Sequence, residues 1–260
     1  MNEGEHMKTT TLIITLLLSS SFITLPVLSV EEGLVAYWDL NETEGDTASD
    51  SSGNGHDGTL IGDPQWTKDG YFGGALEFDQ AGDEVNVPYH KALNQETFTI
   101  CAWANVEPGS GGHRAVVSNR HEPPTSGHIF YAEPGNTWQF WTGDGATPWV
   151  SVQGPAVNLG KWDHLAGIFA DGKQQFYVNG ELVGEKDSNP NFNTEQEFLI
   201  GAGANERANH EYLFKGIIDE VRLYNRALDK KEIAAVMKSD SLDIKASGKL
   251  AVTWGHLKAK

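Results

Sequence analysis

Two dipeptides in the stretch HLAGIFADGKQQFYVNGELVGE, residues 164–185, constrain this chain more than any other feature. Asp171-Gly172 and Asn179-Gly180 each break a run of apolar and β-branched residues. A two-residue hairpin of type I′ needs positive φ at both central positions, which Asp, Asn and Gly tolerate. The spacing therefore predicts three antiparallel strands in succession. The same texture recurs in GLVAYWDL (33–40), GALEF (74–78), EVNVPY (84–89), FTICAWANV (98–106), EFLIGA (197–202) and FKGIIDEVRLYN (214–225). Short strands at roughly ten-residue spacing predict an all-β fold, a two-sheet antiparallel sandwich of jelly-roll type. One short C-terminal helix is expected in RALDKKEIAAVMKS, where Asp229 stands at the N-cap position and Glu232 three residues later, as in a capping box.

Residues 1–29 read as a secretory signal. Lys8 is followed by the apolar run TLIITLLLSSSFITL and by Val27-Leu28-Ser29, with small side chains where cleavage is expected. A membrane anchor is the alternative, but three serines and Pro26 leave the run short of the roughly 20 residues a spanning helix needs. The destination is secreted, extracellular or periplasmic, with no membrane insertion once the leader is removed. Residues 30–238 form one domain. Residues 239–260 form a more basic tail, either an additional edge strand at LAVTW or a disordered or sorting appendage. The net charge of −17 argues against nucleic acid as a partner. Cys101 is the one cysteine, so no intrachain disulfide forms, and its mid-strand position reads as a small buried thiol.

The segments at 33–60, 73–88, 97–106, 159–169, 175–184 and 214–233 together resemble the LamG-like jelly-roll family, whose fold is that of the concanavalin A-like lectins and glucanases, related to laminin G and the pentraxins. The resemblance implies two sheets packed face to face with loops at the rim. Trp38, Trp103 and Trp162, with Phe78, Phe98 and Phe169, are expected to pack its core.

The stretch DSSGNGHDGTL, 50–60, begins like an EF-hand loop, yet Ile61 stands where the twelfth-position acid belongs. Asp50 and Asn54 still offer hard oxygen ligands, and Asp219 is an acid in the otherwise apolar run GIIDEV. A lone carboxylate in such a strand needs a cation or hydrogen-bond donors. A structural Ca2+ site is therefore expected at Asp50, Asn54 and Asp219, and the resemblance implies calcium near the same two segments. Asn41 and Asp57 are weaker ligands. The alternative is that Asp50 and Asn54 make Asx-turns and Asp219 accepts backbone N–H bonds from that same loop.

Residues 107–158 match the family least and carry the expected ligand-binding residues Arg120, Tyr131, Trp138, Trp141 and Trp149. Aromatic platforms beside polar groups suit sugars, whose C–H faces stack on rings while their hydroxyls meet polar partners. Trp138 and Trp141 are three apart, so a regular strand puts them on opposite faces, with Phe140 beside Trp138. Glucanases of this architecture present an E-x-D-x-x-E run, which this chain lacks. EKDSNP (185–190) has Pro190 at the last acid, and adjacent Asp219 and Glu220 point to opposite faces. The expectation is a non-catalytic module binding a glycan, or alternatively an extracellular or cell-surface protein.

Overall fold

The computed structural model describes residues 30–146, 148–203 and 212–239; the expected leader, 1–29, and the tail from 240 onward lie outside the described residues. The strands are β1 (Leu34–Trp38), β2 (Thr47–Ala48), β3 (Gly58–Ile61), β4 (Gln65–Thr67), β5 (Ala75–Asp79), β6 (Glu84–Val87), β7 (Phe98–Val106) and β8 (Arg114–Ser118). They continue with β9 (His128–Ala132), β10 (Thr137–Thr142), β11 (Val150–Ala156), β12 (Trp162–Ala170), β13 (Lys173–Val178), β14 (Glu181–Asp187), β15 (Phe198–Ile200) and β16 (Lys215–Tyr224). One sheet runs β14-β13-β12-β7-β16-β5-β4, with β1 also paired to β16, and the other runs β11-β10-β9-β8-β15-β6-β3-β2. The chain is thus a two-sheet antiparallel sandwich.

Both hairpin signals are realised. Asp171, Gly172, Asn179 and Gly180 all have positive φ, and β12, β13 and β14 are antiparallel neighbours. The core lies between the sheets, where side chains of opposite layers interleave. Phe130 and Phe140 of one sheet meet Phe176 of the other, with ring centroids 5.7 and 6.0 Å away, and Trp38 stacks on Phe198 at 5.1 Å.

Helix α1 (Lys230–Val236) starts as expected. The Asp229 carboxylate accepts from the Lys231 and Glu232 amides, and Glu232 returns an acceptor to the Asp229 amide. The helix lays Ile233 and Val236 on the outer face of the first sheet, over Cys101, Ala166, Ile168 and Tyr224. Burial there pushes the Cys101 thiol up to about 12, which leaves it protonated and inert. Arg222, also buried, ties the helix end down by donating to the Val236 carbonyl, to Ser239 and to the Tyr37 hydroxyl, and pairs with Glu220 at 2.5 Å.

Two of the tryptophans expected in the core lie elsewhere. Ala102 and Ala104 of β7 face the opposite sheet, so Trp103 points outward. It is covered there by the Tyr71 ring, stacked at 3.4 Å, and Trp162 meets Tyr71 edge-on at 6.1 Å. Among the described residues, no helix is long and apolar enough to cross a membrane.

Candidate functional site

The alternation of β10 sorts its side chains sharply. Trp138 and Phe140 face the core and are fully buried, while Gln139 and Trp141 face outward beside Ile129 and Tyr131 of the neighbouring strand β9. Trp138 is therefore withdrawn from the ligand-binding set. Its indole N–H donates 2.8 Å to Asp163 of the opposite sheet, and no ring surface remains for a ligand.

The other four expected residues come together on the outer face of the second sheet, where Tyr212 joins them. Tyr131 lies 5.6 Å from Trp141 and 5.7 Å from Tyr212 between ring centroids. His113 stacks on Tyr212 at 4.5 Å. The Arg120 guanidinium sits between two rings, 4.6 Å from Trp149 and 5.1 Å from Tyr212. Trp141 and Tyr212 are half-buried and present ring surface, whereas Tyr131, Arg120 and Trp149 form the floor beneath them. Burial raises the Tyr131 phenol well above its ordinary range, so it stays neutral.

Hydrogen bonds hold the rings in place. The Gln139 carbonyl accepts from the Trp141 indole at 2.5 Å and from the Tyr131 hydroxyl at 3.2 Å, while its amide donates 2.6 Å to Glu133. Because Glu133 can only accept, it fixes which way the Gln139 amide points. On the other flank, Glu122 accepts from the Trp149 indole at 3.0 Å and from Arg120 at 2.9 Å. Glu122 also borders an open cleft of about 530 Å³ lined by Pro123, Pro124, Thr125, Gly145 and Ala146. A hydrogen-bonded aromatic surface of this kind is suited to stacking a planar or sugar-like ligand. Neither Gln139 nor Tyr212 was among the expected residues: the two-residue spacing of Gln139 from Trp141 was the signal missed for the first, whereas the fold brings Tyr212 from a distant segment.

The expected calcium ligands do not converge. Asp50 accepts from the Tyr37 and Ser52 amides on one oxygen and from the His56 amide on the other, each at 3.0 Å. Burial works against its charge, yet hydrogen bonds from Ser52, His56 and Tyr37 hold its pKa below the ordinary value. Asn54 donates to the Leu34 and Val35 carbonyls. The Ser52 amide on Asp50 is the Asx-turn that stood as the alternative, whereas Asn54 ties the loop to β1 and Asp219 takes its N–H from Phe72 and not from this loop.

Strand β1 separates Asp50 from β16, because Trp38 bridges Asp50 on one side and pairs with Val221 on the other. Both Asp50 oxygens are already taken by backbone amides of its own loop and of β1. Asp219 itself accepts from the Phe72 amide at 3.0 Å through one oxygen, and its other oxygen is buried without a hydrogen-bond partner. Burial raises its carboxyl to about 8. The residue that shares its turn is Asn41, whose side-chain oxygen accepts from the Gly74 amide at 2.7 Å. Among the described residues, no three His, Cys, Asp or Glu side chains are grouped so as to hold a metal ion.

Comparison with known proteins places this architecture. Domain 4 of the extracellular GH43 arabinanase AbnA from Geobacillus stearothermophilus, solved with arabinotriose, superposes with a TM-score of 0.62 at 21% identity, covering 79% of this chain and 98% of that one. The binding domain of Paraclostridial Mosquitocidal Protein 1 gives a TM-score of 0.64 at 15% identity over 80% of this chain, which spans 52% of that domain. Trypanosoma rangeli sialidase, solved with a difluorosialic acid intermediate, gives 0.61 at 18% identity over 79% of this chain and 33% of its own. At these identities the likeness is one of fold. No curated protein sequence matches the chain. The family model of the concanavalin A-like lectin/glucanases superfamily matches residues 79–234, more than half of the chain, and the protein belongs to that superfamily.

Proposed function

We propose that this chain is a secreted, non-catalytic module that binds glycans through the outer face of its second sheet. The observation that carries the reading is the locked platform of Trp141 and Tyr212 over Tyr131, Arg120 and Trp149. Similar structures include an arabinanase domain solved with arabinotriose and the binding domain of a toxin, which supports a glycan or a glycosylated cell-surface protein as the partner. Secretion rests on the leader-like residues 1–29. Taken at the upper end of the roughly 0.5–1.5 kcal/mol found for stacked ring pairs, loss of the Trp141 ring amounts to roughly tenfold in affinity. Trp141→Ala should therefore weaken binding of arabinotriose, or of whichever neutral oligosaccharide binds in calorimetry, by about tenfold. Unchanged affinity in this variant would refute the placement.

A structural calcium ion at Asp219 is a second proposal, supported by the buried Asp219 oxygen that lacks a hydrogen-bond partner. The ion would supply positive charge that keeps this carboxyl ionised. Calcium should then raise the melting temperature, an effect lost in Asp219→Asn and retained in Asp50→Asn. An identical melt with calcium and with chelator would sink the idea.

A further inference from the structure

We propose that Asn54 is a site of spontaneous deamidation, and that its conversion to aspartate or isoaspartate unties the 50–57 loop from the start of β1. This is independent of the glycan reading. The chain holds two Asn-Gly pairs, Asn54-Gly55 and Asn179-Gly180. In such a pair the glycine nitrogen can attack the side-chain carbonyl carbon of the asparagine, because glycine has no Cβ to block the approach. The nitrogen gives up its proton to water, Nδ2 leaves as ammonia, and a five-membered succinimide forms. One water molecule then opens the ring at either carbonyl. The product is aspartate or, with the chain rerouted through the side chain, isoaspartate. Asparagine and water become the acid and ammonia, and no oxidant or second protein takes part.

The fold treats the two pairs differently. Asn179 turns the chain from β13 into β14, and both ends of its amide are held. Its oxygen accepts from the His164 amide and its nitrogen donates to Asp163, each at 2.8 Å, and both partners are buried. Gly180 is buried too, with the Met237 sulfur 3.1 Å from where a Cβ would stand. A succinimide closes there only if the hairpin end comes apart. Asn54 and Gly55 are exposed, and the space around Gly53 and Gly55 is open. Among the described residues, no hydrogen bond engages the Asn54 side-chain oxygen or the Gly55 amide. Asn54 is held at one end only, where its nitrogen donates to the Leu34 and Val35 carbonyls at 3.3 and 2.9 Å. Those two bonds are what the reaction destroys, since an N–H donor facing two carbonyl oxygens becomes a carboxylate facing them. Nearer Asp50 the loop keeps its hold, through the Ser51 amide on the Tyr37 carbonyl and the Tyr37 amide on Asp50. The loosening is confined to the first residues of β1, opposite the end of β16.

The test follows the full chain through weeks in warm, mildly alkaline buffer, folded and in guanidinium, by peptide mass spectrometry that resolves residue 54 from residue 179. In the unfolded chain both sites should convert at comparable rates. Folding should slow Asn54 by less than about tenfold, as for an exposed loop that opens at little cost. It should slow Asn179 roughly a hundredfold, the worth of two hydrogen bonds to buried groups, one of them charged. Asn54→Gln should leave only the slow site. The aged protein, isolated by ion exchange through its added negative charge, should melt about 2–4 °C below the fresh protein, and Asn54→Asp should reproduce the fall. Folding that slows both sites alike, or conversion of Asn179 ahead of Asn54 in the folded chain, overturns the assignment. An aged form that melts with the fresh protein overturns the loosening of β1.

Discussion

Replacing Asp163 is the sharpest test of how the two sheets are joined beneath the platform. Its carboxylate is fully buried and takes four hydrogen bonds. One oxygen accepts from the Trp138 indole at 2.8 Å and the Asn158 amide at 3.0 Å, and the other from the Asn158 and Asn179 side chains at 2.6 and 2.8 Å. Asn158 and Asn179 are exposed and can turn to water, whereas the Trp138 ring cannot. Asp163→Asn can keep its oxygen on the buried pair and point its amide at the two exposed asparagines, so the cost is two replaceable bonds, about 1–2 kcal/mol. Asp163→Ala strands both buried donors at about 1–3 kcal/mol each, roughly 4 kcal/mol together. For a domain of this size, each kcal/mol shifts the melting temperature by about 2–4 °C. The expected falls are therefore about 2–8 °C for Asn and about 8–16 °C for Ala, alongside urea unfolding with an unchanged m-value. The reasoning fails if the two variants lose the same stability, or if Asp163→Ala loses less than about 1 kcal/mol.

Further outcomes follow from buried groups. His128 is enclosed by Phe98 and Phe198, and burial lowers its pKa from 6.5 to about 3. Its neutral ring favours the folded state fully above pH 6.5. As pH falls from there toward 3, the unfolded chain takes up a proton that the folded chain refuses, costing up to about 1.4 kcal/mol per pH unit. His128→Phe should flatten the acid side of the stability curve, and parallel melting profiles for parent and variant between pH 7 and 4 would contradict this. Gly201 has φ of +84°, and a methyl there would overlap the Phe78 ring. Gly201→Ala should cost about 3 kcal/mol in urea unfolding, from strain and overpacking together, and a loss under 1 kcal/mol would count against the packing described.

Features set by short-range geometry were legible in the sequence. The two hairpin turns, the Asp229 cap and the opposed faces of Trp138 and Trp141 each depend on residues within a few positions of one another. The misplaced tryptophans show where such reasoning stops. β7 is buried on both faces, one by the opposite sheet and the other by α1 and Tyr71, so its sequence carries no alternation to mark which side is the core. Asp50 and Asp219 were joined across the chain because both are acids in the right chemical company. The structure shows β1 lying between them and Asp50 bound by the amides of Tyr37, Ser52 and His56, a pairing that is a property of the whole sheet and not of either segment. Tyr212 reaches the platform for the same kind of reason, from a segment some 70 residues beyond Trp141.

The pairing of β1 with β16 also sets how this domain would respond to pulling. Leu34, at the start of β1, lies opposite Tyr224, at the end of β16. Tension applied through both ends would peel the strands apart one rung at a time, because their free ends emerge side by side. The exit is not at Tyr224, however, but beyond α1, where Arg222 holds Val236 and Ser239. A load on the C-terminal side must first tear this buried guanidinium from its partners. The Arg222 cluster thus acts as a mechanical clasp, guarding a seam that would otherwise open like a zip.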